Sequence, residues 1–293
     1  NAQINTSGAA VTVSGSLDIL SASRVTTNNS SAGANITFTG SSVGSGSSIG
    51  SLTLSAGTAG NITIPQIRLA SSNGTLNILS ANLVTISGTS YTEGGFTVNC
   101  NIFDGTNLDL DTTFVGSSRS GNVSVTATGN ITFLFISTSG ADGQSAGDIT
   151  LSGGDIFLLN SVTANGGTPL AGGPGQNAGI ISLTATDTTP LITVNADIIA
   201  AGTTGTTTGL GGQVTFNSPV SFTRLSALNI TNTIRTFGTN TGNSGNITFG
   251  AAATIGGTGN QGLILDAAGG GTIVSSIGDI SLGANILNGA LAS

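Results

Sequence analysis

Asp104, Asp109 and Asp111 are the residues of this chain best placed to do chemistry. Clustered carboxylates can hold a calcium ion, or act as the acid and base of a polysaccharide-cleaving enzyme. Asp109 and Asp111 are two apart, so on a strand they share one face. Enzymes of that kind also need a Lys, His or Arg base close by, and these acids have none near them in sequence. The competing reading is that aspartates in Asn- and Gly-rich corners cap turns through their own backbone. A Ser-His or Cys-His nucleophile is impossible without histidine, and zinc is disfavoured for the same reason. We therefore assign no catalytic, cofactor-binding or metal-binding residue and expect no enzyme activity and no cofactor.

Three other features carry chemical potential. Cys100 follows Phe96-Thr97-Val98-Asn99 on a strand whose apolar face is Phe96, Val98 and Cys100, which reads as a small buried hydrophobe with no disulfide partner in the chain. Thr37-Phe38-Thr39, Thr126-Ala127-Thr128 and Thr184-Ala185-Thr186 could form a flat hydroxyl and methyl lattice of the ice-binding type if stacked in register, although Thr also simply fits an exposed strand. The segment Gly209-Leu210-Gly211-Gly212 leads into a strand, whereas phosphate cradling wants a helix N-terminus.

The elements that must position these residues come from a repeat. Gly147-Asp148-Ile149-Thr150-Leu151, Gly179-Ile180-Ile181-Ser182-Leu183, Gly212-Gln213-Val214-Thr215-Phe216, Gly245-Asn246-Ile247-Thr248-Phe249 and Gly278-Asp279-Ile280-Ser281-Leu282 are one phrase at a period near 33 residues. Polar and apolar residues alternate inside it, which is strand periodicity, and helix-forming residues are scarce. Each period adds two more short strands, such as Asp155–Leu158 and Ser161–Ala164, and a Gly-rich loop. In the first half, spacings of 26 residues predict smaller loops. Strands recurring at one phase pair parallel with their counterparts, so the spacing predicts a parallel β-helix of about ten coils, right-handed by the usual rule of crossovers. Ile149, Ile181, Val214, Ile247 and Ile280 should stack as one inward column. Tyr91 to Gly116 is the least regular stretch and the place to expect an interruption.

Composition narrows the function. A net charge of −7, with 12 acidic residues against 5 basic ones and no His, excludes an electrostatic nucleic-acid binder. No run of about 18 apolar residues predicts a membrane span. No linker divides the chain, so residues 1–293 read as one domain. Within it, 1–33 hold N-terminal strands and an assembly segment, 34–282 the coils, and 283–293 a C-terminal strand and tail.

A lysine-poor chain in which Gly-Asn/Asp-Ile-Thr-Leu/Phe phrases alternate with Gly-rich loops resembles the large secreted β-helical surface proteins of bacteria, the filamentous-haemagglutinin-like adhesins and autotransporter passengers. The likeness runs from Ala34 to Leu282. It implies an extracellular or cell-surface, non-enzymatic, structural or adhesive role. The expected partners are copies of the chain itself, joined through β-helix ends such as Val11-Thr12-Val13, and a surface polysaccharide. A polysaccharide-binding or polysaccharide-cleaving β-helix is the alternative reading, followed by an ice-binding solenoid.

Overall fold

The computed structural model describes residues 2–29, 31–45, 50–71, 74–113, 119–222, 231–236, 244–250, 255–257, 262–267 and 273–275. Among these residues every element is a strand, and every pairing between named strands is parallel. The strands recur at three phases of the coil and so build three faces of a β-helix. The first face is a sheet of eleven strands, from Gln3–Asn5 through Val123–Ala127, Ile149–Gly153 and Ile181–Ala185 to Ile273–Ser275. The second runs from Val11–Val13 through Ile36–Phe38 and Ile62–Ile64 to Ile255–Gly257, and the third from Val43–Ser45 through Ile67–Leu69 and Gly88–Thr92 to Gly262–Asp266. These last two belong to one sheet because three long strands, Ile102–Asp111, Ile131–Ser137 and Ile156–Thr163, run around the corner between them. The two strands expected at Asp155–Leu158 and Ser161–Ala164 are therefore one continuous strand. A register shift marks the corner between Gly105 and Asp109, and again between Phe133 and Phe135.

Strand alternation fills the interior. Val123, Ile149, Ile181, Val214 and Ile247 hold successive register positions, each at most 1% exposed, so each is sandwiched between like neighbours roughly 4.8 Å away. Ile273, not Ile280, takes the register position after Ile247, because the spacing shortens there; Ile280 lies outside the described residues. Aromatic rings meet between coils too: Phe216 and Phe249, register partners, stack with centroids 5.2 Å apart, and Phe103 and Phe133 pack tilted at 4.6 Å.

Two devices explain the repeated phrase itself. Its glycines stack at a corner: a side chain on Gly147, Gly179, Gly212 or Gly245 would collide with the carbonyl oxygen of Gly121, Gly147, Gly179 or Gly212 respectively, in the coil before. These same glycines close the loops at their bases. Gly147 N–H donates to Thr138 O (2.8 Å), Gly179 to Ala164 (2.9 Å) and Gly212 to Ala200 (2.9 Å), while Thr112 and Thr138 hydroxyls donate to the Gly121 and Gly147 carbonyls (2.6 and 2.8 Å). A loop of any length can leave between such fixed points, which is why the period varies while the strands stay in register.

The second device concerns the residue after the glycine. Asn122 Oδ1 accepts the Asp148 N–H of the next coil (2.9 Å), and Asp148 Oδ1 accepts the Ile180 N–H of the coil beyond (2.8 Å). Asn130, Asp155, Asn165, Asn177 and Asp197 repeat the arrangement towards Asp155, Leu191, Ala201, Leu210 and Thr233. Each side chain extends the backbone ladder by one rung, where a strand end would otherwise leave a donor without a partner.

Candidate binding groove

Over its described residues, 91–113, the stretch expected to interrupt the solenoid does not break it; residues 114–116 lie outside the described residues. Gly88–Thr92, Gly95–Cys100 and Ile102–Asp111 all continue their ladders, and Ile102–Asp111 is the longest strand among the described residues. Leu108 and Leu110 point into the core at 0% exposure, so Asp109 and Asp111 share the outward face, as alternation requires. In register beside them stand Thr89 and Tyr91 of the preceding coil and Phe135 and Ser137 of the following one.

The corner shift gives this part of the third face its relief. Within Phe133-Leu134-Phe135-Ile136 the core residues are Phe133 and Ile136, so Leu134 and Phe135 both fall between them and are only half-buried. They border an open groove of about 350 Å³, lined also by Thr89, Tyr91, Asp109, Asp111 and Asn160. Tyr91 is the only tyrosine of the chain and is 39% exposed. Phenol, phenyl ring, amide, hydroxyl and two carboxylates thus meet in one concavity. The sequence signal for it was the broken alternation at Leu134-Phe135, which a search for paired acids passes over.

The third aspartate does not join the groove. Asp104 pairs in register with Thr85 and Thr132 on the second face, and its Oδ1 accepts from the Thr106 hydroxyl (2.7 Å) and backbone N–H (3.1 Å), the turn-capping role of a corner Asp. Asp111 Oδ1 likewise accepts the Thr113 N–H (2.8 Å). Among the described residues no three His, Cys, Asp or Glu side chains gather as a group that could hold a metal ion. Glu93, two residues past Tyr91, has its pKa raised from 4.5 by burial and, secondarily, by the charge of Asp111. Cys100 is a free thiol packed against the core, and burial pushes its pKa up to about 12.

The threonine pairs do not form one lattice. Thr37 lies on the second face, in register with Thr12 and Thr63, while Thr126 and Thr184 lie on the first face with Ser152 between them. Thr39, Thr128 and Thr186 fall beyond their strand ends. The longest regular hydroxyl column is instead Thr97, Ser124, Thr150, Ser182, Thr215 and Thr248. Gly209 to Gly212 close a loop that leads into the strand Val214–Phe216.

Among the described residues no helix is long and apolar enough to cross a membrane. No curated protein and no solved structure gives a significant match to the chain. A family model does match inside the coils: residues 47–133, which carry Tyr91, Asp109 and Asp111 on parallel ladders, are similar to the haemagglutinin repeat.

Proposed function

We propose that this chain is a non-enzymatic structural segment of an extracellular surface adhesin or fibre, which associates with copies of itself through the β-helix edge at Gln3–Asn5 and Val11–Val13. The haemagglutinin-repeat match supports a surface, adhesin-type role. The observation that carries self-association is the edge. Among the described residues Gln3–Asn5 and Val11–Val13 each have a strand on one side only, Ile4 is 44% exposed, and Val11 and Val13 are half-buried against the core.

Among the described residues the outer side of this edge also has no hydrogen-bonded strand. Val11 N–H donates to Asn35 O (2.9 Å) and Val13 O accepts from Thr39 N–H (3.0 Å), so the alternating N–H and C=O of Thr12 face away from the ladder. By the same alternation Ala2 and Thr6 bond inward, leaving the Asn5 N–H on the open side. A strand added there would continue both sheets, and a head-to-tail contact of this kind grows an open fibre unless its rotation closes a ring. Self-repulsion at a net charge of −7 over 293 residues is weak.

The test is a double variant, Asn5→Pro with Thr12→Pro, which removes two outward N–H groups while leaving the internal ladder intact; Pro is tolerated on such edges. Circular dichroism should be unchanged, and light scattering and negative-stain imaging should show loss of long assemblies. Polymerisation equal to the parent's, or a parent that stays monomeric at high concentration, overturns this reading.

A further inference from the structure

The geometry points to the groove on the third face as a binding site for a neutral polysaccharide chain laid along the β-helix axis. The outward columns of the described strands are mostly Ser, Thr and Asn, whereas here Tyr91 and Phe135 flank Asp109, Asp111, Thr89 and Asn160 in a single concavity. That mixture matches a pyranose ring, whose C–H face packs on an aromatic face while its rim hydroxyls need donors and acceptors. Carboxylates accept two hydroxyl protons each, and the phenol, hydroxyl and amide both give and take.

Length and charge narrow the class. The lining residues come from four successive strands, Gly88–Thr92, Ile102–Asp111, Ile131–Ser137 and Ile156–Thr163, which span roughly 14 Å at the usual strand spacing. That is room for a short run of sugar units and more than a single ring needs. Two carboxylates repel sulfated or uronic acid chains. The attraction for an organic cation is reduced in turn, because Arg68 stands in register beside Tyr91, which stands in register beside Asp111, so a guanidinium on the same column partly offsets the acids. A neutral ligand is what remains.

The site rests on the surface-adhesin reading only for where its ligand would be met; it does not need self-association. Binding is therefore measured on the full chain carrying the edge prolines, so that failure to bind and failure to assemble are read separately. Tyr91 is the one tyrosine and there is no tryptophan, so intrinsic emission reports this groove alone. A panel of neutral hexasaccharides, β-glucan, mannan and galactan, should include at least one that changes Tyr91 emission saturably. A heparin hexasaccharide and oligolysine should not. Phe135→Ala and Asp111→Asn should each weaken binding at least tenfold with unchanged circular dichroism. The proposal is overturned if no neutral member binds, if either charged probe binds more tightly, or if both variants bind like the parent.

Discussion

The carbonyl oxygen of Gly147 occupies the space that a side chain on Gly179 would need. The pair belongs to a column of glycines that also closes the loops, so one position serves both the coil-to-coil approach and the loop base. Neither residue has an unusual φ; it is the close approach of the neighbouring coil that requires glycine.

Gly179→Ala should therefore destabilise far more than the loss of chain freedom could offset. The added methyl meets backbone rather than a flexible side chain, so the coils must separate locally and strain the flanking ladder. We expect a loss of at least about 2 kcal/mol in urea unfolding. Gly172→Ala, in a loop with open space around it, should cost less, despite its φ of +72°. Equal losses for the two would refute the packing account.

Asp148 separates the ladder device from an ion pair. Its Oδ1 accepts the Ile180 N–H at 2.8 Å and also meets Arg119 Nη2 at 2.6 Å, with the two side chains 33% and 47% exposed. An ion pair that exposed contributes little, whereas an abandoned backbone donor at a strand end costs about 1 kcal/mol. Asp148→Asn, which keeps an acceptor, should unfold close to the parent, and Asp148→Ala should lose about 1 kcal/mol. If Asn and Ala are equally harmful, the charge and not the ladder matters here.

Much of this was legible in the chain, for reasons that differ by residue. Ile149, Ile181, Val214 and Ile247 announced their column because alternation and a fixed repeat both constrain the inward position. The rung at Ile273 shows the weakness of that signal: loop length varies freely between closure points, so the repeated phrase at Ile280 does not mark the strand that pairs with Ile247. The groove was half legible. Asp109 and Asp111 follow from strand parity, but Phe135 reaches the surface only because the strand turns a corner, and a corner inside a continuous apolar run leaves no Gly or Pro to mark it. Asp148 and Asp155 stand in the sequence only as the polar members of strand phrases, and their use as acceptors for the next coil depends on register that a single period does not reveal.

Glu93 gives the protein a small pH dependence of definite sign. Burial, helped by Asp111, raises its folded-state pKa above the ordinary 4.5, so the folded chain holds this proton more tightly than the unfolded one. Its ionised form is a liability, which is absent below the unfolded pKa and grows as pH rises through the window between the unfolded and folded values. From this group alone stability should fall as pH climbs from 4 towards neutrality. Thermal melts of Glu93→Gln and parent should therefore differ at pH 7, with Gln the more stable, and converge near pH 4. A Gln variant less stable at pH 7 would show that the carboxylate has a favourable partner in the fold.

Cys100 should be chemically quiet until the chain opens. Burial lifts its thiol from 9.0 to about 12, so at pH 8 the reactive thiolate is scarcer by about a thousandfold than on an unshifted cysteine. A more basic thiolate is intrinsically somewhat more nucleophilic, which returns part of that factor and leaves labelling by iodoacetamide roughly a hundredfold slower than for the urea-unfolded chain. Raising the pH from 8 to 10 should speed labelling of the folded protein in proportion to thiolate, with no plateau near 9. A plateau near pH 9 in the folded state would mean that the thiol faces solvent, and that Phe96-Thr97-Val98-Asn99-Cys100 does not keep its apolar side against the core as far as its last residue.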